Sequence, residues 1–268
     1  MIVDAWIQHP TDVFRSQKMF SRLLSWQGMT EFPPVSHEMT DGLMNAAGID
    51  RALASAWWGP EGPLISNDDV AALVAHNPER YVGIASVDIS HPMDGVRELR
   101  RAVHQLGFKG LRLLPWLWNL PPDDRRYYPL YAECIELDIP FCLQIGHTGP
   151  LCSSEPGRPI PYLENVALEF PELRIVAGHL GFPWVSEVIS LALRFPNVYI
   201  DTSAYKPKRF PPEFVTFMTG VGRKKVMYGS NFPMITPFEC LEGVDELGFD
   251  EESKALYLGG TAARVFKL

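Results

Sequence analysis

No Cys-x-x-Cys pair occurs in this chain, and its four cysteines, at 134, 142, 152 and 240, follow no zinc-finger spacing. Neither a disulfide framework nor a cysteine-built zinc site is therefore expected. Cys134 and Cys142 fall in apolar stretches and read as core thiols. Cys152, in a loop just beyond His147, is the one thiol a nearby base could activate, although a plain loop cysteine is the simpler reading. There is no basic run, and the formal net charge is -8, so the concentrated positive face that nucleic acids require is missing. No apolar stretch approaches the roughly 18 residues of a membrane span. The opening Met1-Ile2-Val3-Asp4-Ala5-Trp6-Ile7 has neither the positive region nor the small-residue cleavage site of a leader. A soluble, cytoplasmic protein is expected, with a small molecule as its partner. No Gly-x-Gly-x-x-Gly follows the first strand, which leaves a dinucleotide site nothing to stand on.

What is present is a regular beat. The chain has 268 residues, 46% of them hydrophobic, enough for one large core and a single domain over 1–268. Apolar runs of strand length at 2–7, 51–57, 81–87, 108–115, 140–147, 173–178, 198–202 and 225–229 alternate with helical spacing at 67–76, 93–106, 127–137, 161–170, 184–195 and 212–219. A closing helix follows Gly259-Gly260. Such alternation marks βα units around a parallel sheet. About eight strands is the number a closed (β/α)8 barrel of the TIM type needs, and the expected fold is that α/β barrel.

In such a barrel the chemistry sits at the carboxy-terminal strand ends. His147 and His179 each stop an apolar run and are followed closely by glycine, in Ile145-Gly146-His147-Thr148-Gly149 and Val176-Ala177-Gly178-His179-Leu180-Gly181. The other strand ends carry Trp6 and Gln8, Trp57 and Trp58, Asp88, Arg112, Trp116 and Trp118, Asp201 and Asn231. For each tryptophan alone, packing is the simpler reading. Together they suggest an apolar-walled pocket with few polar groups, suited to a planar or aromatic molecule. His37, His76, His91 and His104 lie in helix starts or surface helices and are assigned no role.

These blocks, with Gly107-Phe108-Lys109-Gly110-Leu111-Arg112, Asn197-Val198-Tyr199-Ile200-Asp201-Thr202-Ser203 and Tyr228-Gly229-Ser230-Asn231-Phe232-Pro233, resemble the amidohydrolase superfamily over essentially the whole chain. More narrowly they resemble the amidohydrolase-2 branch, which includes aminocarboxymuconate-semialdehyde decarboxylase and related aromatic-acid decarboxylases and hydratases. The resemblance implies a divalent metal, zinc or manganese, held by two histidines of an Asp-x-His-x-His motif on the first strand, a fifth-strand histidine and an eighth-strand aspartate. It also implies a sixth-strand histidine that moves a proton. His147 matches the fifth-strand ligand and His179 the sixth-strand residue. The first-strand motif falls on Asp4-Ala5-Trp6-Ile7-Gln8, with His9 one residue late, and the eighth-strand aspartate is Asn231. An indole cannot ligate a metal, and amides ligate zinc poorly, so no tightly bound metal is expected.

Three readings follow. In the first, a metal-independent enzyme hydrolyses a small cyclic or carboxylated substrate: His179 moves a proton with Asp201 and His147 beside it, Arg112 clamps a carboxylate, and Gln8 and Asn231 bond a carbonyl. Trp6, Trp57 and Trp116 complete its substrate site. The second is a decarboxylase or hydratase that retains a metal on His147 and His179, with His9 drawn in. The third is a non-catalytic ligand-binding barrel. The aromatic segment 15–34 is expected to cap the mouth or form a homodimer contact.

Overall fold

The computed structural model describes residues 1–26 and 28–268. Two parallel runs of strands make its centre. One is ordered β1 (Val3–Ile7), β2 (Arg51–Ser55), β5 (Tyr81–Ile84); the other is ordered β6 (Leu111–Leu113), β7 (Phe141–Gln144), β8 (Ile175–Gly178), β9 (Val198–Asp201), β10 (Val226–Met227). A parallel bridge between Ala85 and Leu111 joins them at one seam. A bridge between Ile7 and Phe232 joins them at the other, where the Ala5 N–H also donates to Tyr228 O at 3.0 Å. The result is a closed eight-stranded barrel, as the alternation predicts. The remaining strands, β3 (Trp57–Gly59) and β4 (Gly62–Ile65), form an antiparallel hairpin outside it. Trp57 therefore begins this hairpin, whereas the sequence places it at the end of a barrel strand.

Inward-facing side chains fill the lower barrel. Val3, Ala5, Leu53, Ile84, Cys142, Val176, Tyr199 and Met227 form one buried cluster with Ala262, Val265 and Phe266. The closing helix Thr261–Phe266 thus seals the amino-terminal end. Because strand side chains repeat every two residues, Ser55, Gln144, Gly178 and Asp201 point inward one layer nearer the mouth. The outer ring forms where the helical spacing predicts it. Asn67–His76 opens on a reciprocal box between Ser66 and Asp69, in which each side chain accepts the other's backbone N–H, satisfying two otherwise orphaned donors. Among the described residues, no helix is long and apolar enough to cross a membrane.

Candidate active site

Strand β1 does not run straight to the mouth. Its register with β2 shifts between Asp4 and Ile7, and the Asp4 carboxylate accepts the backbone N–H of Trp6 at 3.1 Å and of Ser230 at 2.9 Å. This irregularity carries the Trp6 indole into the barrel. A Cβ on Gly178 would lie 2.7 Å from the Trp6 ring and 2.9 Å from Asp201 Oδ2, so only glycine leaves room for the indole there. His179 follows immediately, and its ring stacks on Trp6 with centroids 4.5 Å apart. The Arg112 guanidinium carbon also lies over the Trp6 ring, 3.9 Å from its centroid.

Above this floor opens a cavity of about 320 Å³. Phe20, Trp26, Trp57, Trp116 and Tyr205 give it aromatic walls, and Gln144, His147, Thr148, His179 and Asn231 supply its polar groups. The side chains of Phe20, Leu23 and Trp26 cover it from the segment expected to cap the mouth, and Leu23 packs so tightly that a Cβ on Gly149 would meet it at 2.5 Å. Three lining residues, His179, Ala204 and Asn231, hold φ values of 75°, 68° and 66°. Side chains with a Cβ adopt that region at a cost of about 1–2 kcal/mol each, and such strain concentrates at functional sites.

His147 and His179 therefore meet in one cavity, His147 at its exposed rim and His179 buried at its base. The His147 N–H donates to Phe182 O at 2.6 Å. The preceding glycine permits this approach, since a Cβ on Gly146 would meet the same oxygen at 2.5 Å. Trp57, Trp116 and Asn231 line the same cavity. The Trp116 indole N–H donates to Gln144 Oε1 at 2.8 Å, and Gln144 Nε2 donates to His147 O at 3.2 Å.

Four predicted residues do not line it. Arg112, expected to clamp a carboxylate, has a side chain only 1% exposed and lies below Trp6. Its Nη1 donates to Ser55 Oγ at 2.6 Å, and its Nη2 donates to Ala5 O at 3.2 Å and faces Asp201 Oδ2 at 3.7 Å. It is an internal counter-charge. Trp6 is floor. Gln8, expected to bond a substrate carbonyl, donates instead to Asn231 Oδ1 at 2.9 Å and Asn231 O at 3.2 Å. The Asp201 carboxylate is linked to the His179 ring through Ser203, whose hydroxyl donates to Asp201 Oδ1 and lies 2.8 Å from His179 Nδ1. Ser203, Asp4, Gln144, Thr148 and Tyr205 were not legible from strand ends. For Ser203 a signal existed, since a serine two residues after a strand-end aspartate is placed for a local turn bond.

Burial, reinforced by Arg112, pulls the His179 imidazole down to about 3. Burial likewise lifts Asp4 to about 7 against its bonds from Ser230 and Trp6, and it raises Asp201 against the pull of Arg112 and Ser203. His9 stands apart from the cavity. Its Nδ1 is 2.9 Å from Thr40 Oγ1, its ring lies edge-on to His37, and burial and His37 push it down to about 4. Below their ordinary value of 6.5, His9 and His179 gain protons in the unfolded chain before the folded one. Stability should thus fall as pH drops from 6.5 toward 4. Asp4 and Asp201 oppose this, because their raised values lend stability that is lost as pH rises above 3.8, for Asp4 until about 7, so the imidazole contribution is read by removing one imidazole. Between pH 6.5 and 4.5 the His9→Gln melting midpoint should lose less, or gain more, than that of the wild type; an unchanged difference would remove His9 from this account.

The first-strand and eighth-strand positions do not fit the metal that the resemblance implies. Trp6 offers an indole packed against the Arg112 guanidinium and the His179 ring, and the Gln8 and Asn231 amides are bonded to one another. Among the described residues, no group of three or more histidine, cysteine, aspartate or glutamate side chains is arranged to hold a metal ion.

A family model described as Amidohydrolase matches residues 28–268. A gamma-resorcylate decarboxylase from Rhodococcus jostii is 28% identical over 255 residues, covering 76% of this chain and 75% of its own. The crystal structure of an uncharacterised TIM-barrel protein from Bordetella bronchiseptica superposes with a TM-score of 0.85 at 25% identity, over 99% of this chain and 98% of that one. A dihydroxybenzoic acid decarboxylase from Polaromonas, crystallised with manganese and 2-nitroresorcinol, superposes with a TM-score of 0.71 at 17% identity, over 100% and 97%.

Proposed function

Because the chain belongs to the amidohydrolase family, in its amidohydrolase-2 branch, we propose that it is a lyase that decarboxylates a small hydroxy-substituted aromatic or cyclic acid without a bound metal. Decarboxylation here takes the place of the hydrolysis favoured by sequence. Relatives such as the resorcylate enzyme are decarboxylases, and the aromatic-walled cavity suits an aromatic acid. The manganese of the Polaromonas enzyme makes a divalent ion plausible for the fold; the amide and indole donors of this chain argue against one here.

The observation that carries the proposal is a neutral, aromatic-walled cavity with one buried imidazole at its base. A carboxylate entering it loses water without meeting a cation, a setting that favours loss of its charge as CO2. Among the described residues, neither the Nδ2 donors of Asn231, whose Oδ1 is taken by Gln8, nor the buried Trp57 indole N–H has a partner. Both are suited to hold the acid. Neutral His179 takes the substrate's hydroxyl proton and returns it to the ring carbon bearing the carboxylate. The carbon–carbon bond then breaks, CO2 leaves with its electron pair returned to the ring, and the product oxyanion takes a proton from water.

The test is CO2 release from a panel of hydroxybenzoates, with lactones and amides alongside. Turnover of an acid, undiminished by a chelator, is expected. Hydrolysis of a lactone or amide would overturn the reaction assigned, and chelator-sensitive activity restored by manganese would overturn metal independence. The proposal retains a cytoplasmic homodimer, which light scattering checks by mass.

A further inference from the structure

Three contacts hold His179 in place. Its ring stacks on Trp6, its backbone N–H donates to Asp201 O at 3.1 Å, and its Nδ1 meets the Ser203 hydroxyl at 2.8 Å, all in the buried floor. The Ser203 hydroxyl has a single proton, and it is committed to Asp201 Oδ1, which also accepts the Ser203 backbone N–H at 3.0 Å. Asp201 Oδ2 faces Arg112 and has no hydrogen-bond partner among the described residues. A proton on that oxygen would have nothing to donate to, whereas an anion there is matched by the guanidinium. With Asp201 accepting and Ser203 donating to it, the serine oxygen can only accept from the imidazole.

We propose that Ser203 is a positioning residue that fixes His179 as its Nδ1–H tautomer, so that Nε2, with its lone pair, is the nitrogen offered to the cavity. This deepens the role given to His179 above, since a base at the cavity floor works only if the nitrogen facing the substrate is the unprotonated one. Arg112, Asp201, Ser203 and His179 then form a line in which a fixed cation holds an anion, the anion turns a hydroxyl, and the hydroxyl selects a tautomer. Removing the partner that orients a metal-ligating histidine typically costs about 10- to 100-fold, and a loss of the same order is expected for a base whose tautomer Ser203 selects.

The tautomer can be read without any substrate. In protein labelled with nitrogen-15 in its seven histidines, the His179 ring signals are those absent from His179→Asn. At pH 7 the wild type should show a protonated Nδ1 and a bare Nε2. Ser203→Thr, which keeps the hydroxyl, should preserve that pattern, and Ser203→Ala should shift it toward a mixture with kcat lowered about 10- to 100-fold. A protonated Nε2 in the wild type would overturn the proposal even if Ser203→Ala does not fold, and so would an unchanged tautomer in a folded Ser203→Ala protein. Absence of turnover on every acid would sink the assigned reaction and leave the tautomer result standing.

Discussion

Replacing His179 with asparagine is expected to lower turnover by about 10³-fold, within the range a positioned acid–base group contributes, while leaving a folded barrel. Asparagine keeps a polar group near the Nδ1 position and can still bond the Ser203 hydroxyl, so the buried floor stays satisfied. It has nothing at the Nε2 position, and no second side chain in the cavity can take over: His147 stands at the exposed rim, and the other polar lining groups are amides and hydroxyls. The lost stacking on Trp6 should cost about 0.5–1.5 kcal/mol, visible as a small drop in melting temperature. Binding of an aromatic acid, followed by tryptophan fluorescence, should survive. Activity within tenfold of wild type would take His179 out of the chemistry.

The largest effect on stability is expected at Arg112. Its side chain and that of Asp201 are each 1% exposed, and breaking a buried ion pair by removing one partner typically costs about 3–5 kcal/mol, because the surviving charge is left uncompensated. Arg112→Met should fall in that range by urea unfolding, having also taken donors from Ser55 Oγ and Ala5 O. Asp201→Asn alone should be destabilising for the mirror reason, a buried guanidinium without its anion. Combining the two should recover much of the loss, since neither charge then remains. Were Arg112→Met to lose less than about 1 kcal/mol, or the losses simply to add, the pair would not be the internal anchor described here.

Much of the scaffold is legible in the sequence alone. Apolar runs of strand length separated by helical spacing led to the closed barrel, and Asn67–His76, Pro212–Thr219 and Thr261–Phe266 stand where the pattern puts them. His147 and His179 were found because a polar ring closing an apolar strand and followed by glycine is a local feature. Asn231 and the tryptophans followed from the same logic. The reading failed where depth mattered. Arg112 and Asp201 do face inward at strand ends, but whether an inward side chain reaches the cavity or stops beneath it depends on what lies across the barrel, and here Trp6 lies across it.

The alternation of apolar runs with helical spacing and the residues at strand ends, both properties of neighbours along the chain, were enough to determine the barrel and the mouth at which its chemistry gathers, and the family resemblance placed Trp6, Gln8 and Asn231 where metal-binding residues are expected. The tertiary structure alone decided what those replacements do. The shift in β1, held by Asp4 bonding across the closing seam to Ser230, turns Trp6 into the floor, hides Arg112 behind it and leaves the cavity without a charge. Ser203 becomes part of the site only because Asp201 and His179 come from adjacent strands, β9 and β8, that pair in register. Contacts between residues distant in sequence set which side chains meet a ligand, and no local pattern encodes them.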